Sequence, residues 1–223
     1  MSPTFLPGAA PRVVKLGGSL LDFDNLRPAL NNWLAEVRGP FPIVFLAGGG
    51  ELADAIRRAD ARHGLGEEAS HWLCIRLLGV TARMLAGMLP ETEFVDDFGN
   101  LQRRLAEPSA ATMVFDPGPF LATAELHLPG CRLPRTWQVT TDSIAARLAE
   151  VLAADLVLLK SSPPPDAAVD AQDRFRYFTE LARRDYVDSH FPWAAEAVGK
   201  VEMVNLRVWG NRQPPREIHG NRA

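Results

Sequence analysis

The chain has 223 residues and a mass of 24.5 kDa, enough for one large α/β domain with a sizeable core. Its hydrophobic fraction of 47%, charged fraction of 23% and net charge of −3 are ordinary globular values. They exclude the basic excess that a nucleic-acid or anionic-membrane surface demands. Cys74 and Cys131 stand in no metal-spaced pair, which argues against a disulfide framework or a zinc site. No run approaches the roughly 18 to 20 apolar residues of a membrane span. The opening "MSPTFLPGAAPRVVKL" lacks the basic start and long apolar stretch of a signal peptide. A cytoplasmic protein with no membrane or nucleic-acid partner is expected.

Strand and helix patterns alternate along the chain. "RVVKLGG" (12–18) is a β-branched run that ends in glycines, and "DNLRPALNNWLAEVR" (24–38) sets Leu26, Leu30, Trp33, Leu34 and Val37 on one helical face. "PIVFLA" (42–47) is a continuous apolar run, as in a buried parallel strand, and Leu52, Ala55, Ile56 and Ala59 follow at helical spacing. "SHWLCIRLLGVTARMLAGML" (70–89) reads as a long apolar helix with Leu73, Leu77, Met84, Leu85 and Met88 in the core. Strands are expected at 92–97, 111–117, 155–160 and 201–206, with a helix over 140–154 capped by Thr141 or Asp142. The Pro-rich stretch 161–173 reads as a mobile loop. This alternation predicts a three-layer α/β/α sandwich with a mainly parallel central sheet, in one domain spanning 1–223.

Three glycine- or hydroxyl-bearing turns are expected at the C-terminal ends of predicted strands: "KLGGSL" (15–20), "AGGGE" (47–51) and "TTDS" (140–143). That edge of an open parallel sheet is where ligands bind. Bare glycine amides leading into a helix form an anion cradle. Two such turns, with a lysine inside the first, suggest two phosphate-like groups held facing each other. A dinucleotide fold needs G-x-G-x-x-G, but no glycine follows Gly18 until Gly39, and no G-x-x-x-x-G-K-[ST] occurs. Of 24 Lys and Arg residues only Lys15, Lys160 and Lys200 are lysines, so each ranks as a candidate for a site that wants a compact ammonium.

"VVKLGGSL" (13–20), "FLAGGGELA" (45–53) and "WQVTTDSIAARLA" (137–149), in that order and at those separations, resemble the amino acid kinase superfamily. With "SHWLCI" (70–75) and "YVDSHFP" (186–192) the likeness is strongest to the branch acting on aminomethylfuran phosphate in methanofuran biosynthesis. The resemblance implies an ATP- and Mg2+-dependent kinase for a small-molecule substrate, working as a homo-oligomer, with a dimer favoured. It divides the chain into an acceptor-side half (about 12–135) and a nucleotide-side half (about 136–210). Lys15 is expected at the transferring phosphoryl group, and Gly17, Gly18 and Ser19 at the phosphates of ATP. Gly48, Gly49 and Gly50, with His71 and Trp137, are expected at the acceptor. Asp142 would orient the active-site lysines, with Thr141, Ser143, Lys160 and Ser161 on the nucleotide side.

Two departures from the family stand out. "KSSPPPDAAVD" replaces the "TDVDGIY"-like nucleotide segment, and the helix lysine of relatives falls on or near Glu196. The second lysine is left open between Lys160 and Lys200. A degenerate member that serves as a binding or regulatory subunit, and a kinase for an amino acid or nucleotide, are the alternatives. His71, Asp188 and His190 read equally as cap or turn residues, Trp72 and Trp137 as core, and Asp96 and Asp97 as a strand end or acceptor contacts.

Overall fold

The computed structural model describes residues 10–107, 111–166 and 173–210. Six strands form one sheet: β1 (Arg12–Leu16), β2 (Ile43–Ala47), β3 (Glu93–Val95), β4 (Thr112–Phe115), β5 (Asp155–Lys160) and β6 (Val201–Asn205). Their order is β3-β4-β2-β1-β5-β6, and every pairing is parallel. Parallel strands covered on both faces are apolar throughout. Val13, Val14, Leu16 and the whole of β2 are accordingly buried.

Helices α1 (Leu26–Val37), α2 (Gly50–His63), α3 (Glu67–Met88), α4 (Phe98–Leu105), a single turn α5 (Pro117–Pro119), α6 (Thr141–Leu152), α7 (Arg174–Arg183) and the short α8 (Phe191–Ala194) surround it. On one face Leu26, Leu30 and Trp33 of α1 pack with Leu85 of α3, Trp33 meeting Phe45 edge-on at 6.3 Å between ring centroids. On the other face α6 lies against β1 with Ile144, Leu148 and Leu152, joined by α4 and α8. Each fully buried side chain of this kind contributes about 1.5–3 kcal/mol. Arg147 of α6 is wholly buried between Glu125 (3.1 Å) and Glu150 (2.7 Å) and donates to the carbonyls of Leu128 and Pro129. That network moors the 125–130 segment to α6, because an unpaired charge there would carry a heavy desolvation cost.

All six expected strands are present. Two expectations about helix faces are corrected. Leu73 and Met84 of α3 are exposed; Leu85 is buried as expected, together with Ile75, Leu78 and Ala82. Helix α3 carries two apolar stripes, and periodicity alone does not say which one meets the sheet. On α2 the buried residue is Ala53, while Leu52 and Ala55 face outward. Helices α4 and α7 were not anticipated; both are short, and each starts on an aspartate cap, Asp97 accepting from Asn100 N (2.7 Å) and Asp173 from Arg176 N (3.2 Å). Asp97 is thus a helix cap, and Asp96 pairs with Arg83 at 3.6 Å. Of the Pro-rich 161–173 stretch, residues 167–172 lie outside the described residues. Among the described residues no helix is long and apolar enough to cross a membrane.

Candidate active site

Register brings the glycine turns together. Leu16 pairs with Ala47 on one side and with Leu159 on the other, so the residues that follow β1, β2 and β5 meet at one sheet edge. Gly17 N donates to Leu159 O and Gly48 N to Leu16 O, each at 2.8 Å. The turns then touch backbone to backbone. A Cβ on Gly48 would lie 2.5 Å from Gly18 N, and one on Gly18 would lie 2.8 Å from Gly50 Cα and collide with Gly50 N. Gly50 also has φ +56°, a conformation that glycine adopts without penalty. The glycines are therefore required first for the mutual approach of two turns. That approach leaves the amides of Gly18, Ser19 and Gly49 with no backbone carbonyl partner among the described residues, at the starts of a 3-10 turn and of α2. Such amides suit an anion.

Behind the turns lies a buried charge cluster. Lys15 Nζ is 2.8 Å from Asp142 Oδ1, and Lys160 Nζ is 2.7 Å from Asp142 Oδ2. Lys160 also donates to Tyr186 O (2.6 Å), and its ammonium lies 5.2 Å from the Tyr186 ring centroid. Strand β1 aims Lys15 at the α6 face, β5 ends in Lys160, and the first turn of α6 presents Asp142. Burial opposes the Asp142 carboxylate, yet the two ammonium groups outweigh it and hold its pKa below the usual carboxylate value. Burial, reinforced by the Lys15 charge, brings Lys160 down to about 8 despite Asp142. Lys200 is remote from this in character: it is exposed and pairs with Glu202 at 3.5 Å. The choice between the two lysines thus falls on Lys160 as the one that meets Asp142.

A cleft of about 250 Å³ opens at Lys15, lined by Gly18, Ser19, Gly48–Gly50, Thr140 and Thr141, and also by His71, Cys74, Ile75 and Trp137. Burial lowers the His71 pKa, and its ring hydrogen-bonds the Thr136 carbonyl. At the mouth Arg57 pairs with Asp54 (2.6 Å) and stands 5.3 Å over the Trp137 ring. The structure therefore gathers Lys15, Gly18, Ser19, Gly48, Gly49, Gly50, His71, Trp137 and Thr141 around one cleft. Gly17, Asp142, Ser143, Lys160 and Ser161 stand behind or beside it, Ser161 Oγ bonding Ser19 Oγ at 3.0 Å.

Sequence reasoning passed over Arg57, Tyr186 and the full part played by Asp188. Asp188 accepts from Thr140 N (2.9 Å), Thr140 Oγ1 (2.8 Å) and Ser143 N (3.0 Å), and also from the Ser143 hydroxyl and His190 N (3.1 Å). No local pattern announces that role, since its partners lie 45 and 48 residues away. Among the described residues no three His, Cys, Asp or Glu side chains cluster to hold a metal, so the expected Mg2+ has no protein cage here.

The model of the amino acid kinase family matches residues 11–163. Over 141 residues the chain is 26% identical to the (5-(aminomethyl)furan-3-yl)methyl phosphate kinase of Methanocaldococcus jannaschii, an alignment covering 63% of this chain. The chain spans 60% of the length of that curated relative. The crystal structure of uridylate kinase from Archaeoglobus fulgidus superposes with a TM-score of 0.60 over 90% of this chain and 94% of its own, at 17% identity, which is a likeness of fold. With its model matching most of the sequence, including all three motif turns, the chain belongs to the amino acid kinase family.

Proposed function

We propose that the protein is an ATP-dependent kinase whose acceptor is a small phosphomonoester of the aminomethylfuran type. The observation that carries this reading is the Lys15–Asp142–Lys160 cluster set behind two interlocked glycine turns. Phosphoryl transfer asks little covalent work of a protein; it asks for positioning and for cations matched to developing charge. ATP, when bound, supplies the phosphoryl group. The free amides of Gly18, Ser19 and Gly49 suit its phosphates and those of an anionic acceptor. Asp142 pairs with both ammonium groups and fixes their positions, so Lys15 faces the cleft without reorganising. Lys160, delivered by the end of β5, takes the place of the later-helix lysine of relatives.

Acceptor chemistry follows from what lines the cleft. The one carboxylate there, Asp54, is engaged by Arg57, and the His71 ring is engaged with the Thr136 carbonyl. An acceptor phosphate oxygen is already anionic and needs no general base, whereas a hydroxyl acceptor gains from one. Trp137, His71 and Ile75 offer two rings and an apolar side chain to a small ring, and Arg57 adds a cation. The M. jannaschii relative is named for such an acceptor.

Two measurements test the proposal. Mg-ATP is expected to raise the melting temperature of the wild type and to leave Lys15→Ala unmoved. Coupled ADP release is expected with aminomethylfuran phosphate and to be lost in the same variant. Binding without turnover on phosphomonoesters, amino acids or nucleotides would favour a regulatory subunit, and absence of both would end the kinase reading.

A further inference from the structure

Asp188 draws more hydrogen bonds than a turn requires. Its Oδ2 takes Thr140 N, Thr140 Oγ1 and Ser143 N, and its Oδ1 takes the Ser143 hydroxyl and His190 N. Three of the five donors are backbone N–H groups, which have no accepting role to exchange. A protonated Asp188 would turn a donor toward donors, so the geometry calls for the carboxylate. Helix α6 already has a local cap, Thr140, whose hydroxyl accepts from Asp142 N. Asp188 adds a second anchor from a distant segment, with its negative charge at the favourable end of the helix.

That segment does three jobs within five residues. Tyr186 O accepts the Lys160 ammonium at 2.6 Å, Asp188 holds Thr140 and Ser143 on either side of Asp142, and His190 N donates to Gln138 O at 3.2 Å. One strap therefore fixes where Lys160 ends, where Asp142 begins, and where the stretch carrying Trp137 lies.

We propose that Asp188 is the positioning residue of this site, clamping the first turn of α6 to the 186–190 strap so that Asp142 and Lys160 meet in register. The effect on turnover rests on the kinase reading above; the effect on Lys160 does not. Lys160 faces Lys15 on β1, Asp142 on α6, and Tyr186 and Asp188 on the strap. Asp188 in turn faces Asp142, Thr140, Ser143 and His190. Two carboxylates balance two ammonium groups, and without Asp188 the buried cluster is left with a net positive charge. The Asp188 charge favours protonated Lys160 against burial and Lys15. Burial and the Asp142 charge push Asp188 itself up, and the Ser143 and Thr140 donors oppose that rise.

The chain has only Lys15, Lys160 and Lys200 as lysines, so an NMR titration of protein labelled with 13C at lysine has three side chains to resolve, and exposed Lys200 is an internal control. In Asp188→Asn the Lys160 midpoint is expected to move below its starting value of about 8 while Lys200 stays put. In turnover, kcat is expected to fall about tenfold or more, with both KM values changed less than about threefold and the alkaline limb shifted to lower pH. A folded Asp188→Asn protein with an unmoved Lys160 midpoint overturns the proposal. If that variant does not fold, Thr140→Val decides. It keeps the bulk but removes both the hydroxyl donor to Asp188 and the local cap on Asp142 N, and kcat is expected to fall at least about threefold at little-changed KM. An unchanged kcat overturns the assignment. No turnover by the wild type on any acceptor, with Lys160 shifted in Asp188→Asn, would count against the kinase reading and leave the clamp standing.

Discussion

On one side of the cleft the turns after β1 and β2 are shaped by what they lack. Gly18, Gly48 and Gly50 carry no side chain, and the two backbones pack where any Cβ would collide. Behind them the machinery is made of side chains: Lys15, Lys160 and Asp142, with Asp188 gripping the helix that carries Asp142. The bare side resists change through sterics, which salt and pH do not touch. The charged side rests on balanced burial, so it answers to charge, pH and geometry. Substitutions that act on one side and spare the other test whether this division is real.

The largest effect is expected from Asp142→Asn. It leaves two buried ammonium groups that have lost their shared carboxylate and keep only the Asp188 charge nearby, and breaking a buried pair in this way costs about 3–5 kcal/mol. A turnover loss on the order of a thousandfold is expected, with a lower melting temperature. Wild-type kcat in a folded Asp142→Asn protein would remove the charged side from the comparison. Gly48→Ala attacks the bare side. Its new methyl would sit 2.5 Å from Gly18 N and 2.9 Å from Gly18 Cα, both backbone atoms that cannot swing away. The strain is expected to cost about 1–3 kcal/mol and roughly a hundredfold in turnover. Gly199→Ala is the control, since its Cβ would meet nothing within 4 Å. Equal melting temperatures for the two variants would break the steric argument.

The pH profile separates the sides more finely. Lys160 is lowered from 10.5 to about 8, so its charge is lost well below that of an ordinary lysine. For the free enzyme, kcat/KM for ATP is expected to be level toward neutrality and to fall above about pH 8, approaching tenfold per unit. Bound phosphates favour the ammonium, so the limb of kcat is displaced upward. The linkage has a definite sign. A folded value below the unfolded one means that Lys160 costs the fold stability below about pH 8, and that the cost is relieved as pH rises toward 10.5. Asp142, also depressed, contributes stability above the ordinary carboxylate value and loses it as pH falls through its folded value. Lys200→Met should leave the alkaline limb in place, whereas Lys160→Met should abolish it together with most of the activity.

The same division explains what was legible in the sequence. The strands were plain because buried parallel strands are continuous apolar runs, and the glycine turns were plain because nothing else fits such an approach. Asp142 was found through its neighbours in "TTDS". The charged side was only half visible. Whether Lys160 or Lys200 meets Asp142 depends on where β5 ends relative to α6, which is a matter of tertiary register. Asp188 reads as a turn residue because its donors are brought to it by packing, 45 to 48 residues away. Leu73 and Met84 misled for a related reason, since an apolar stripe does not state which surface it faces.

The smallest expected effect lies where the two sides join. Ser19, on the first glycine turn, and Ser161, just after Lys160, share a hydroxyl–hydroxyl contact of 3.0 Å at an exposed position. The loop beyond is moored separately, by Tyr186 Oη donating to Ser162 O (3.1 Å) and by Arg184 donating to Asp166 O (2.8 Å). A neutral hydrogen bond nets about 0.5–1.5 kcal/mol, and water can replace it here, so Ser161→Ala should lie at or below the low end of that range. A two- to threefold rise in the KM for ATP is expected, about the size of that energy, with kcat unchanged. Because both hydroxyls act through one contact, Ser19→Ala with Ser161→Ala should cost no more than the larger single change. Additive losses would mean that each serine meets the nucleotide on its own. In that case the loop after Lys160 would itself bind ATP, instead of being held in place from both sides of the cleft.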